Sequence, residues 1–255
     1  MKIIIYNENV MQNLPAHKKA YANGLHNELK SIFDKEHDVT CVTLEDIENG
    51  LSKEELDKTD VLIWWGHIAH EKVPDAINEY VCKRVCEGMG AIFLHSAHFS
   101  KPFTTLCGTP CSLRWREANE AERVWTTDPF HPIAQGVEQG FRLDHEEMYG
   151  EHFYIPTPDS VVFTGWFEGG EVFRSGCCFH KENGRFFYFQ PGHETFPIYK
   201  NENVRLILKN AVNWVAKKGP EKSDFIGNEK CLHPIKPPEK FKRNRFLYKE
   251  IENKE

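Results

Sequence analysis

VLIWWGHIAHEKVPDAINEYVCKRVCEGMGAIFLHSAH, residues 61–98, reads as strand, turn, helix and strand in succession. VLIWW (61–65) and AIFLH (91–95) are short unbroken apolar runs of the length of a fully buried strand. Between them Ile77, Tyr80, Val81 and Val85 keep the 3.6-residue period of a helix that opens at Pro74 and closes at Gly88. Two such strands joined by a helix are the crossover unit of a parallel sheet covered on both faces. Both strands give way to histidines, His67 and His70 after the first and His95 and His98 at the end of the second.

The same pattern extends toward the N-terminus. KIIIY (2–6) and VTCVTL (39–44) are further buried-strand runs, with Leu25, Leu29, Ile32 and Phe33 at helical spacing between them. Ser52 and Glu55 have the spacing of a capping box and predict a short helix before VLIWW. Up to about residue 100 the chain therefore reads β-α-β-α-β-α-β. Residues 101–160, rich in Pro, Trp, Arg and Glu, are expected to form long loops with short elements. VVFTGWF (161–167) and RFFYFQ (185–190) read as strands of a series joined by turns at Gly169-Gly170 and Asn183-Gly184. Leu206, Ile207, Asn210, Ala211, Trp214 and Val215 predict a closing helix over 203–217. One α/β domain over 1–217 and a charged extension over 218–255 are the expected organisation.

Composition narrows the function. The 255 residues are 40% hydrophobic, ample for a large core, and 32 Lys+Arg against 38 Asp+Glu leave a net charge of -6, with no basic footprint for nucleic acid. No apolar run approaches the ~20 residues of a membrane helix, and MKIIIYNENV lacks the h-region of a signal peptide. A cytoplasmic location is expected, with no nucleic-acid or membrane partner. The eight cysteines are expected as reduced, mostly packing residues.

Histidine carries the chemical signal. His67, His70, His95, His98, His145, His152 and His193 all lie in or just after strand-like runs. Ligands of an open parallel sheet bind beyond the carboxyl ends of its strands, and His67, His95, His98 and His193 fall there. Such imidazoles serve as metal ligands or as proton carriers. Zinc or another divalent metal wants three or four N or O donors at ~2.0–2.2 Å, and His67, His98, His193 and Glu147 form the candidate set. HxxH occurs at 67/70 and 95/98, but HExxH does not, since Tyr149 stands where its second histidine belongs. Proton transfer beside a carbonyl needs only a histidine paired with an acid such as Glu147 or Glu194. In HEEMYGEH (145–152) Met148 and Tyr149 suggest a partly enclosed loop, in which Glu147 is the expected general base. Trp65, Tyr149 and Trp166 offer faces for a sugar ring, and Lys101 and Arg174 offer donors. No nucleotide cofactor is expected.

WWGHIAHEKVPD, LHSAHFSK, EEMYGEHF, WFEGGEVFRSG and FYFQPGHETFP, in this order, together resemble the ThuA-like, or trehalose utilisation, family over residues 1–216. The resemblance implies a flavodoxin-like α/β sandwich with a mostly parallel central sheet, similar to class I glutamine amidotransferases. It also implies a role in catabolism of trehalose-type disaccharides beside a sugar dehydrogenase that makes keto sugars, and a homo-oligomer is expected. Carried over by motif, His95 is the strand-end histidine, Glu147 and Tyr149 belong to the E-x-Y element, and Gly192-His193 is the late pair. His67, His98 and Glu194 match the longer-motif branch. The amidotransferase cysteine elbow, G-x-C-x-G, is replaced by His95-Ser96-Ala97-His98, so glutamine hydrolysis is not expected.

The expected activity is an isomerisation or related conversion of a keto sugar, with His95, Glu147 and His193 as acid/base groups and Trp65, Lys101, Tyr149, Trp166, Arg174 and Glu194 around the substrate. Two alternatives stand beside it: a non-catalytic sugar-binding or assembly domain, and a hydrolase using Ser96.

Overall fold

The computed structural model describes residues 1–216; the extension expected over 218–255, with Cys231, lies outside the described residues. In chain order the elements are β1 (Lys2–Asn7), α1 (Pro15–Ala20), α2 (Leu25–Phe33), β2 (Asp38–Thr43), α3 (Ile47–Gly50), α4 (Lys53–Asp57), β3 (Val61–Trp65), α5 (Asp75–Cys86) and β4 (Gly90–Leu94). There follow α6 (Lys101–Cys107), β5 (Arg114–Thr126), β6 (Gly140–Gly150), β7 (Ser160–Phe167), β8 (Val172–Lys181), β9 (Gly184–Phe189) and α7 (Glu202–Val215).

The nine strands of the described residues form one sheet in the order β2-β1-β3-β4-β9-β8-β7-β5-β6. The pairs from β2 to β9 are parallel, and those from β9 outward are antiparallel. Successive strand residues face opposite sides, so β1 feeds two cores. Ile3 and Ile5 pack with α2 and α7, whereas Ile4 and Tyr6 pack with α5 and α6. Cover on both faces explains why β3 and β4 are apolar and buried at every position.

The helix boundaries follow local chemistry. Ser100 caps α6 by accepting the Phe103 N–H, and Gly108 ends it in the left-handed conformation. Asn201 caps α7 through the amides of Asn203 and Val204. Ser52 does precede α4, but the expected capping box does not form: its side chain makes no cap bond. Glu55 turns instead to Lys2 and Lys58.

The larger correction concerns residues 101–160. In place of long loops the chain forms β5, of 13 residues, and β6, of 11. Charged residues depress strand propensity, and β5 carries Arg114, Arg116, Glu117, Glu120, Glu122 and Arg123. The fold accommodates them: Arg116 bridges Glu120 and Glu171, and the β5–β6 register shifts between Arg116 and Glu122. The HEEMYGEH segment is accordingly mostly strand. None of the seven described cysteines is in a disulfide.

Candidate active site

The parallel strands deliver three imidazoles to one place. His67 lies two residues beyond β3, His95 follows β4 directly, and His193 lies four residues beyond β9. Their ring centroids are 5.8 Å apart for His67 and His95, 5.4 Å for His67 and His193, and 5.3 Å for His95 and His193. Glu147 completes the group from within β6, and one donor atom of each residue lies within 4.8 Å of the others.

His95 is held in an unusual backbone state. Its φ of 53° is left-handed, uncommon for a residue with a side chain and a frequent mark of functional turns. Its Nδ1 is 3.0 Å from the Gln190 carbonyl and its Nε2 is 3.0 Å from Glu147 Oε2. The Gln190 carbonyl only accepts, so Nδ1 carries a proton, and the Glu147 carboxylate beside Nε2 favours the doubly protonated imidazolium. Burial alone would drive that proton off, but the carboxylates of Glu147, Glu146 and Glu194 outweigh it and lift the pKa to about 9. Burial works against Glu147 too, yet the close approach and charge of His95 hold its carboxyl below the usual range. The His95–Glu147 contact is an ion-pair approach rather than an aligned hydrogen bond, which leaves Nε2 and Oε2 with capacity for a ligand.

The other two imidazoles differ. His67 Nδ1 lies 2.7 Å from Glu194 Oε1; the carboxylate accepts, so in the neutral form of the ring the proton is on Nδ1 and the lone pair on Nε2. Despite burial, that bond helps to pull Glu194 down to about 2. His193 Nδ1 accepts the Thr195 N–H at 3.3 Å, with the Thr195 hydroxyl at 2.8 Å. Its proton therefore belongs on Nε2, and burial, aided by the His95 charge, lowers the pKa to about 4. One cluster thus holds an acid, an oriented base and a neutral donor.

Carboxylates missed by sequence reasoning fix this geometry. Glu146 accepts the N–H groups of Glu147 (2.9 Å), Gly192 (2.7 Å) and His193 (3.2 Å), while Trp65 Nε1 donates to the Gly192 carbonyl at 3.1 Å. Burial raises Glu146 to about 7 against those bonds and the His95 charge. Gly192 is required here: its φ is 152°, and a Cβ would stand 2.1 Å from the Tyr199 hydroxyl. Gln190 ties the halves together, receiving His95 on its carbonyl and donating Nε2 to the Glu147 carbonyl at 3.2 Å. Glu122, fully buried and bonded by the Ser175 hydroxyl at 3.0 Å, has its carboxyl pushed well up by burial.

Among the other residues picked out from sequence, Tyr149 stacks on His95 at 5.1 Å and bonds Ser96 at 2.7 Å. Ser96 thus has a tyrosine partner, and the left-handed residue directly after β4 is His95 rather than Ser96. His98 is a correction to the expected metal set: its Nδ1 is 2.8 Å from the Cys111 carbonyl, and the ring packs among Phe99, Tyr149 and Phe153. Burial lowers it to about 3, and His95 takes its place in the cluster. Three substrate-binding expectations are likewise placed elsewhere. Lys101 binds Val73 and Asp75, Trp166 is 51% exposed beneath Arg123, and Arg174 is engaged by Glu151 and Phe153. His145 and His152 are exposed. Glu8 caps the amides of Ile68 and Ala69 at 2.9 and 3.0 Å; its place just past β1 was the available signal, by the same strand-end rule that picks out the histidines.

The family described as ThuA, trehalose utilisation, matches residues 2–215. A ThuA-like protein of Parabacteroides merdae is 15% identical, with a TM-score of 0.64 over 86% of this chain and 91% of that one. A Salmonella typhimurium cytoplasmic protein is 14% identical at a TM-score of 0.62, covering 86% of this chain and 100% of its own. A Thermotoga maritima glutamine amidotransferase, 11% identical, gives 0.51 over 85% and 98%. At these identities the likeness shows a shared fold. No protein of curated function matches the sequence. Among the described residues no helix is long and apolar enough to cross a membrane.

Proposed function

Since the chain belongs to the ThuA, trehalose utilisation, family, we propose that it converts a keto sugar by proton transfer beside the carbonyl, as an isomerase or a related enzyme. The observation that carries this is the convergence of His67, His95, His193 and Glu147 with donor atoms inside 4.8 Å. His67 Nε2, oriented by Glu194, takes the proton from the carbon next to the carbonyl. The electron pair of the broken C–H bond forms the enediol double bond, while the carbonyl oxygen takes the Nε2 proton of His95. Running the steps backward at the neighbouring carbon moves the carbonyl and returns both protons. Glu147 is the counter-ion that keeps His95 charged, and His193 donates its Nε2–H to an adjacent hydroxyl. The work of Glu147 is thus narrower than that of the general base expected from sequence.

The same four donors favour a second use, a divalent cation bound by His67, His95, His193 and Glu147. Such an ion would polarise the carbonyl. It requires His95 to lose its proton and His193 to change tautomer. Elemental analysis of the purified full chain and of His67→Ala separates the two: about one ion per chain, lost in the variant, supports the cation, and no ion after supplementation supports proton transfer alone. The reaction is tested by incubating the chain with oxidised, keto trehalose and following the carbonyl carbon by NMR. Migration of that carbon signal supports the proposal. An unchanged substrate contradicts it.

A further inference from the structure

Glu122 is a titratable group that the proton-transfer steps leave unused, and the sheet is shaped to admit it. It stands on β5, and its carboxyl reaches across β7 to Ser175 on β8. The crossing depends on Gly165 of β7, where a Cβ would stand 2.2 Å from Glu122 Oε1 and 2.4 Å from Ser175 Oγ. Glycine inside a strand weakens it, and here its missing side chain is the space that the acid occupies. Glu122, Ser175 and Gln190 are all fully buried.

The hydrogens of these three residues can be counted. Gln190 donates Nε2 to the Glu147 carbonyl at 3.2 Å. A carbonyl takes only a donor, so the amide oxygen is the atom turned to Ser175, 3.5 Å from its Oγ. Ser175 Oγ also stands 3.0 Å from Glu122 Oε1, and a serine hydroxyl has one proton to give. A carboxylate at Glu122 would take that proton. Gln190 Oε1 would then lack a donor, and so would Glu122 Oε2, which has no partner, leaving a buried charge held by a single bond. An acid at Glu122 removes the conflict. Its Oε1–H donates to Ser175, Ser175 donates to Gln190, and the one atom left over is an uncharged carbonyl oxygen. The surrounding charges agree: burial, and next the Glu146 carboxylate, push the Glu122 carboxyl well above its ordinary range, against the Ser175 bond and the His95 charge.

We propose that Glu122 is a neutral carboxylic acid whose proton gives direction to a hydrogen-bond chain through Ser175 and Gln190, and that it is thereby a positioning residue for His95 and Glu147. Gln190 is where the chain acts: its carbonyl receives His95 Nδ1 at 3.0 Å and its side chain holds the Glu147 carbonyl. The part this plays in catalysis rests on the proton-transfer reading of the cluster.

Infrared difference spectra of full-length wild type and Glu122→Gln, both carrying isotope-labelled glutamate, read the protonation at about pH 8, where an ordinary glutamate is ionised. Wild type is expected to show an acid carbonyl band that the variant lacks. Loss of a carboxylate band instead overturns the proposal. Position is read by NMR of the His95 ring. Glu122→Gln, whose side-chain N–H replaces the acid O–H as donor, should leave exchange of the His95 Nδ1 proton within about twofold of wild type. Ser175→Ala should speed that exchange about tenfold, the equivalent of one lost hydrogen bond, and so should Glu122→Met, which keeps the length of the side chain but has no donor. Turnover of keto trehalose should follow the same order, with kcat falling and KM little changed. A Glu122→Gln protein as impaired as Glu122→Met overturns the proposal, as does a Ser175→Ala protein with an intact circular dichroism spectrum and unchanged exchange. An acid band and the expected exchange rates, without conversion of keto trehalose by wild type, count against the chemistry assigned to the cluster and leave the positioning role standing. Conversion by wild type with Glu122 ionised does the reverse.

Discussion

The parallel and antiparallel halves of the sheet equip the same site in different ways. In the parallel half the strands are five or six residues long, and β3 and β4 are buried throughout. Chemistry begins there only where a strand stops, at His67, His95 and His193. In the antiparallel half, strands of 13 and 11 residues pair with register shifts, and the acids Glu122, Glu146 and Glu147 come from strand interiors. Strand ends leave an imidazole free to turn toward a ligand. A buried carboxylate instead needs donors fixed around it, which a ladder and its neighbouring loops provide. Neither half alone makes the site, because the parallel half supplies the three imidazoles with Glu194, and the antiparallel half supplies Glu147 beside His95 and the Glu146 clamp.

The sharpest way to break this division is to remove one contribution from each side. Glu147→Gln should lower turnover about 10²–10⁴-fold with KM little changed, the range for a lost acid/base contribution. His95→Gln should cost about as much, and the double variant no more than either single one, because the two act as a unit. Steady-state rates of the three proteins decide it, and losses that multiply would show that the halves act independently.

Glu146→Ala comes next. It leaves the amides of Glu147, Gly192 and His193 without their acceptor, at roughly 1–3 kcal/mol for each donor that finds no substitute. Urea unfolding should register this, with Glu146→Gln recovering part of the loss. An unchanged midpoint would mean that the loop after β9 does not depend on the antiparallel half.

Gly192→Ala places a Cβ 2.1 Å from the Tyr199 hydroxyl and should cost about 1–3 kcal/mol of stability, as overpacking does. Adding Tyr199→Phe should return part of that cost, since the hydroxyl is gone while the strain at φ 152° remains.

The difference between the halves is also why one was legible in sequence and the other was not. VLIWW and AIFLH are apolar because both faces are covered, so periodicity and the strand-end rule place His67, His95 and His193 beyond strand ends, where the structure has them. β5 reads as a charged loop because its cations and acids are partnered across the sheet, Arg116 with Glu171 for example, and no local pattern reveals a partner 55 residues away. Glu146 and Glu147 are neighbours of identical type, and only the fold tells the amide clamp from the counter-ion. His95 and His98 present the same difficulty: one HSAH turn places His95 among carboxylates and His98 among aromatic rings.

A smaller effect should appear with pH. The His95 pKa, raised to about 9, contributes stability that is complete below the unfolded value of about 6.5 and is lost as pH rises through 9. Glu146, raised to about 7, adds a loss of the same sign as pH rises from about 4.5 to 7. Melting temperatures should therefore fall between pH 6.5 and 9.5, and His95→Gln should flatten that fall. The smallest effects belong to Lys101→Ala, Trp166→Ala and Arg174→Ala, whose side chains are engaged outside the cluster. Each should stay within about twofold of wild-type turnover, near the ±0.5 kcal/mol typical of changes at peripheral sites, and a larger loss would extend the site beyond the junction of the halves.

The most direct test is exchange of carbon-bound hydrogen in heavy water, read by proton NMR on keto trehalose with wild type and Glu147→Gln side by side. The two-halved proton-transfer site predicts rapid loss of the signal next to the carbonyl with wild type and a rate at least a hundredfold lower with the variant. No exchange by wild type, or equal exchange by both, would contradict it.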